Sequence, residues 1–313
     1  MKQDTRARLK PGKIWASLAI LLAVTLWGLS FVSMKIVINS GLPPYTMITL
    51  RYFIVVMVLA FIFVSKSQYK STKPSRKDRS LFLWSGAIGI TAYFLFEAKG
   101  ISLTTASSAS IIIAMVPVFS FLADKIFFHQ RSNFIQILGI ILSIIGVYAI
   151  FSVSLEPFHT ASHPLLGNIL MLGACFCWVG YSVLSKALHQ RFSSFYITTM
   201  QGFYGFLFLI PFALLEFPAW VPVSGMAWLH LFFLAVLCSV LAYYLYNIAL
   251  KALGITVVSV YVNLIPVVGV LGSVLILREP VYPAQWLGGS LIVISLFMVH
   301  HTSNEVSTLH EHP

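Results

Sequence analysis

The sequence predicts an all-α polytopic membrane protein, ten transmembrane helices arranged as two inverted five-helix repeats. Three observations lead there. The first is composition: of 313 residues, 58% are hydrophobic and 9% charged, with a mean hydropathy of +0.90. Soluble domains carry about 25% charged residues, so this chain lacks the polar surface that a soluble globule of its size needs. The second is a series of apolar runs at about 14–38, 46–64, 81–98, 104–127, 134–152, 165–185, 195–215, 227–248, 255–277 and 284–300. Each is near the length that crosses a roughly 30 Å hydrocarbon core. The third is an internal offset. A shift of 149 residues lays Ser110 on Ser259, Pro117 on Pro266, Leu122 on Leu271, Gln136 on Gln285 and Gly139 on Gly288, with nine identities in the 36 positions from Ser110 to Ile145.

Taken in order, the elements begin with a basic tail, residues 1–13, "MKQDTRARLKPGK". The apolar run after it is too long for a signal-peptide core and has no small-residue cleavage motif, so it reads as a retained first spanning helix. Residues 14–152 form the first five-helix repeat, 165–300 the second, and 301–313 a short polar tail. Connections are short, which makes neighbouring helices antiparallel hairpins, and Pro43, Pro44, Pro157, Pro164, Pro218, Pro222 and Pro283 punctuate them.

Charge sets the orientation. With the N-terminus inside, sixteen Lys and Arg fall on the cytoplasmic side, six of them in the 65–80 loop "SKSQYKSTKPSRKDRS". Four remain outside or in the outer half: Lys35, Arg51, Lys99 and Arg278. Such asymmetry predicts an inner (cytoplasmic) membrane protein with both termini cytoplasmic. The net charge of +11 follows from this topology. The basic loop reads as a topology signal in contact with anionic lipid, and nucleic-acid binding is excluded as an expectation.

An odd number of helices per repeat makes the second repeat enter from the opposite side, an arrangement that transporters use to interconvert inward-open and outward-open states. It also gives a reason for the prolines. Pro117 and Pro266 each sit inside an apolar run, where proline removes a backbone hydrogen bond. They are read as helix breaks, tolerated at membrane depth where the freed backbone is buried or lines a wet cavity.

The stretches "LWGLSFVSMK", "ASSASIIIAMVP" followed by "FIQILGIILSIIGV", and "ALKALGITVVSVYVNLIPVVGVLGSVLILREPVYPAQWLGGSLIVI" resemble the drug/metabolite transporter superfamily, and within it the ten-helix EamA type. The resemblance covers both halves. One departure concerns the Gly-Glu pair that the family often has after the fourth helix of each half: here the second half keeps Glu279 and the first has Gln130. The resemblance implies a basket-like bundle with a central cavity and the export or exchange of small metabolites, commonly amino acids.

Candidate substrate-binding residues come from helical spacing. Tyr243, Tyr246 and Asn247 share one face of the eighth helix, as Trp178 and Tyr181 share one of the sixth. Aromatic surface with hydroxyl and amide groups suits an amphipathic or zwitterionic solute, although Tyr and Trp also serve as interfacial belts and interhelix donors. Trp27, Ser30, Tyr93, Ser110 and Asn263 complete the set. For Ser110, a small residue on a helix face, close packing competes with cavity lining. Arg51 and Glu97 are ionisable groups in the outer part of spanning segments, functional by default. They are read as a gate pair, or Glu97 as a proton-coupling acid, against snorkelling for Arg51 and Lys35 and a static ion pair for Glu97.

Other classes find little support. There is no GxxxxGK[ST], HExxH or GxSxG motif and no paired membrane aspartate, so neither ATP drive nor intramembrane catalysis is expected. Cys175 and Cys177, two apart on a helix, do not share a face for a metal or redox pair. His300, His301, His310 and His312 read as part of a polar tail. No cofactor and no metal is expected. The sequence thus predicts a secondary transporter of small organic metabolites working by alternating access, with a transporter-fold membrane sensor or scaffold as the other reading.

Overall fold

The computed structural model describes residues 11–65, 74–116, 118–120, 122, 134–153, 161–189, 191–253, 258 and 261–309. Among these residues there is no β-strand. In chain order the helices are α1 (Pro11–Asn39), α2 (Pro44–Ser65), α3 (Arg76–Leu103), α4 (Ala106–Ile113), α5 (Phe134–Val153), α6 (Pro164–His189), α7 (Ser194–Leu215), α8 (225–253), α9 (Ile265–Leu277) and α10 (Pro283–Leu309). Six helical stretches are long and apolar enough to cross a membrane: Ile14–Asn39, Pro44–Phe63, Arg76–Leu103, Pro164–Ser185, Ser194–Leu215 and Gly225–Tyr246. Ala106–Ile113, Ile137–Ile150 and Ile265–Leu277 are shorter apolar helices.

Local chemistry sets the boundaries. Pro44, Pro164 and Pro283 each open a helix, where the missing N–H costs nothing. Ser75, Thr105, Ser193 and Ser224 each accept a backbone N–H of the first turn of α3, α4, α7 and α8. Ser75 and Asp78 form a reciprocal capping box, and Asp78 also accepts Arg191 Nη1 at 2.7 Å.

Polarity is arranged as a bilayer demands. The outside of the bundle is apolar: Trp15, Phe61, Phe134 and Leu275 are each more than 70% exposed. The inside holds Ser107, Ser110, Asn168 and Gln285, each buried. Water-soluble proteins do the reverse, and in hydrocarbon every buried polar group must find a partner in the protein. Gln285 donates to Ser108 Oγ at 2.7 Å, and Thr104 donates to Asn168 Oδ1 at 2.7 Å.

The main packing partners are α5 with α10, α3 with α6, α1 with α8, α3 with α7, α1 with α9, α2 with α7, and α4 with α9. Glycines allow the tightest of these. A Cβ on Gly146 of α5 would lie 2.7 Å from the Gly288 carbonyl oxygen of α10, so only glycine permits this crossing.

Two helices are interrupted. In α4 the regular ladder ends at Ile113, and residues 114–115 form a turn with Ala114 N donating to Ile111 O and Met115 N to Ile112 O. Before α9, residues 263–264 form a turn with Leu264 N donating to Tyr261 O, and Pro266 then stands in the first turn of the next segment. Pro266 therefore opens a helix rather than kinking a continuous one. Pro117 lies outside the described residues, as do Gln130, the loop residues 66–73, His310 and His312.

The structure adds something the periodicity did not foresee. The middle of α3, Ala87–Ala92, and of α8, Phe233–Leu241, is π-helical, as is the end of α9, Ser273–Leu277. Such segments are rare and gather at functional sites.

Candidate functional site

An aromatic chamber occupies the centre of the bundle. From α1, Trp27 donates its indole N–H to Cys238 O at 3.0 Å, which fixes the ring. Tyr243 stands edge-on to it with centroids 5.2 Å apart, and Tyr246 lies at 5.5 Å. Across the chamber, Trp178 packs between Tyr93 at 5.4 Å and Tyr181 at 5.5 Å. Tyr181 donates its hydroxyl to Gln201 Oε1 at 3.1 Å, and the Gln201 amide donates to Ser85 and Ser185, both at 2.9 Å. A small cavity of about 20 Å³ is lined by Tyr52, Val55, Ile90, Tyr181, Thr198, Gln201, Gly202, Ser239 and Tyr243. That is room for about one water molecule, so the chamber stands closed around this point.

Two buried charges flank the chamber at similar depth. Arg51 and Glu97 each lie roughly 10 Å along their helices from the Pro44 end of α2 and the Leu103 end of α3, at 1.5 Å per residue. The Arg51 guanidinium donates through Nε and Nη2 to Ser239 Oγ at 3.1 and 2.9 Å. Nη1 meets the Met34 sulfur at 3.7 Å, and Cζ lies 4.9 Å from the Phe94 ring centre. Ser239 hands its own proton to Leu234 O, five residues back, a bond that the π-helical winding of α8 makes available. Glu97 Oε1 accepts the Tyr93 hydroxyl at 2.8 Å, while Oε2 is buried with no hydrogen-bond partner among the described residues.

The outer rim is wired differently. Glu279 accepts Ala106 N and Ser107 N at 3.1 and 3.2 Å, at the amino end of α4. Glu216 accepts both the backbone N–H and the hydroxyl of Thr46 at 2.7 and 2.9 Å, in the first turn of α2. Lys35 donates to Ile101 O and Thr104 O at 2.8 and 2.6 Å, at the carboxyl end of α3. Each charge sits on the helix end whose dipole suits it. Lys35, Asn39, Ser102, Thr105 and Glu279 line a cavity of about 340 Å³ at this rim.

Trp27, Tyr93, Trp178, Tyr181, Tyr243 and Tyr246 thus gather in one chamber. Ser30 donates to Trp27 O of its own helix, and Ser110 donates to Ser107 O and packs against Gly269. Asn247 lies on α8 beside Tyr246, with its side chain outside the described ones, and Asn263 stands in the turn before α9. Arg51 and Glu97 do not come within ion-pair distance of each other. Among the described residues the ion pair is Arg191 with Asp78, so Glu97 is not the partner of Arg51 or Lys99 in this state. Lys35 turns to backbone carbonyls rather than to headgroups. Sequence reasoning missed Tyr52, Gln201 and Ser239. Gln201 carried a signal, a lone amide in an apolar run, whereas Ser239 is one hydroxyl among many.

Comparison with known proteins bears on this architecture. A solved structure described as "Crystal structure of protein" superposes with a TM-score of 0.62 at 17% identity, covering 92% of this chain and 97% of that one. At that identity the likeness is one of fold. The "Uncharacterized transporter YetK" of Bacillus subtilis is 25% identical over 91% of this chain and 86% of its own. A protein of Escherichia coli named "Probable amino-acid metabolite efflux pump" is 26% identical over 89% of this chain and 92% of its own. One of Streptantibioticus cattleyicolor, named "Probable terminal-alkyne amino-acid exporter", is 23% identical over 92% and 93%. The EamA-like transporter family matches residues 14–152 and again 165–300. Those spans contain all of the chamber residues, and on that match the chain belongs to the EamA-like transporter family, a family of membrane transporters.

Proposed function

We propose that this chain carries a small amphipathic organic metabolite, an amino acid or a close derivative, across the cytoplasmic membrane by alternating access between two inverted halves. The observation that carries the reading is the 149-residue offset. It takes the turn at 114–115 onto the turn at 263–264, and the π-helical 87–92 onto 236–241, inside Phe233–Leu241. The packing partners obey the same offset. A pseudo-two-fold axis would map α5 with α10, α2 with α7 and α4 with α9 onto themselves and exchange α1 with α8 for α6 with α3, and all of these pairs occur. Transporters place solute sites where such repeats meet, and the aromatic chamber draws on both halves of the chain, with Trp27 and Tyr93 from the first and Trp178, Tyr181, Tyr243 and Tyr246 from the second. The amino-acid assignment draws on the named relatives and on aromatic walls set with Ser239 and Gln201.

The test is counterflow in proteoliposomes with a panel of radiolabelled amino acids. Uptake of label against unlabelled internal solute, absent from liposomes without protein, is the expected result; equal uptake in both for the whole panel removes the amino-acid reading. Cysteines at Lys77 and Ser162, in a chain lacking the native three, test orientation: the first labels from the cytoplasm and the second from outside.

A further inference from the structure

Arg51 and Glu97 present an unusual arrangement of charge. Both are about 4% exposed. A buried ion costs several kcal/mol unless it is paired and hydrogen-bonded. The cheapest solution would be contact between the two, yet no such contact forms. Instead Arg51 makes do with a neutral hydroxyl, a thioether and an aromatic face, and Glu97 leaves one carboxylate oxygen without a partner. The neighbouring rings of Tyr93 and Phe94, 4.7 Å apart, each serve one of them: Phe94 lies by the guanidinium and Tyr93 holds the carboxylate. Tyr52 and Tyr243 line the central cavity. Ser239, the acceptor of Arg51, lines the same cavity. One cation and one anion are therefore buried beside the same aromatic cluster without a direct ion pair to each other.

We propose that Arg51 and Glu97 are a split charge pair that reads a zwitterion, Arg51 taking the carboxylate of the solute and the free oxygen of Glu97 its ammonium group. This rests on the transport reading and goes beyond it by assigning the two recognition groups. On binding, the guanidinium trades Ser239 for a bidentate carboxylate, the geometry it matches best. The ammonium completes the hydrogen bonding of Glu97. The aromatic walls take the side chain. A solute with only one of the two charges leaves the other protein charge buried and unpaired, so the site rejects amines and carboxylic acids of the same shape.

The experiment uses the full chain in detergent and in proteoliposomes. Leucine, phenylalanine and threonine are each compared with the corresponding amine, which lacks the carboxylate, and the corresponding deaminated acid. Binding is read as ligand-induced thermal stabilisation, and transport as counterflow. The expected result is that an amino acid which binds does so at least ~10-fold tighter than either of its analogues, since each loses a hydrogen bond to a charged group. Glu97→Gln should lose at least ~10-fold in affinity for the amino acid while its affinity for the deaminated acid stays within a few-fold or rises. Arg51→Lys, which keeps the charge but not the fork, should weaken amino acid and acid together and leave the amine unchanged. Analogues that bind as well as the amino acid overturn the proposal, as does a folded Glu97→Gln that weakens amino acid and acid equally. It also falls if no member of the panel binds. Amino acids that bind with this selectivity but show no counterflow would sink the transport reading and leave the charge pair standing. Counterflow with unselective variants would do the opposite.

Discussion

The carboxylates of the outer rim and the carboxylate of the interior are treated in opposite ways. Glu279 and Glu216 are only part-buried, yet each accepts two hydrogen bonds at the amino end of a helix from the other half of the chain. Glu97 is far more deeply buried and keeps an oxygen unpartnered. Desolvation makes an unsatisfied carboxylate costlier inside than at the rim. Stability alone would have satisfied Glu97 first. The rim carboxylates therefore read as parts of the scaffold, tying helix ends across the two halves, and Glu97 as a group held ready for something that comes and goes.

The sharpest way to break this contrast is to remove each charge and measure stability and transport separately. Glu97→Gln should lower counterflow of an accepted amino acid by about 10- to 100-fold, the range of a lost charge-assisted hydrogen bond. The thermal midpoint of the empty protein should hold or rise, because a buried ion has been replaced by an amide of the same shape. A fall in the midpoint with unchanged transport would put Glu97 in the scaffold. Glu279→Ala should do the reverse. It leaves two backbone N–H groups at the amino end of α4 without their acceptor, and we expect a loss of about 2 kcal/mol in stability, read as a lower thermal midpoint, with the preference among solutes unchanged. A change of solute preference at full stability would move the recognition site to the rim cavity that Glu279 lines.

Most of the scaffold was legible in the sequence and little of this contrast was. Helix existence followed from apolar runs, since the bilayer imposes both length and composition. Several helix starts followed from Ser, Thr and Pro, whose effect is local. The π-helical middles of α3 and α8 were not legible: five-residue hydrogen-bonding leaves an apolar segment as apolar as an α-helical one, and "AIGITA" and "FLAVLCSVL" carry no other mark. Arg51 and Glu97 were legible as exceptional residues, because a charge in hydrocarbon stands out in any reading. Their lack of a direct ion pair was not, because it depends on how the side chains pack in space. Ser30 and Ser110 show the opposite error of scale. Their hydroxyls, read as candidate site chemistry in one dimension, donate to carbonyls of their own helices in three.

The smallest expected effect tests the rim half of the contrast on its own. Glu216→Gln keeps the length of the side chain and one carbonyl oxygen, so Thr46 N–H and hydroxyl retain an acceptor. What disappears is the negative charge at the amino end of α2. Such a charge contributes about 0.3–1 kcal/mol at a partly exposed helix terminus, and the neutral acceptor makes a bond about half as strong as the charged one. We expect stability to fall by about 1 kcal/mol or less, with counterflow within about twofold of the parent, a change smaller than a single weak hydrogen bond is worth. Glu216→Ala, which removes the acceptor as well, should cost more than Glu216→Gln in stability and still leave selectivity alone. If Glu216→Gln instead stops transport without lowering the thermal midpoint, the link between Glu216 and Thr46 is a moving part of the cycle. The rim carboxylates would then belong with Glu97 rather than opposite it.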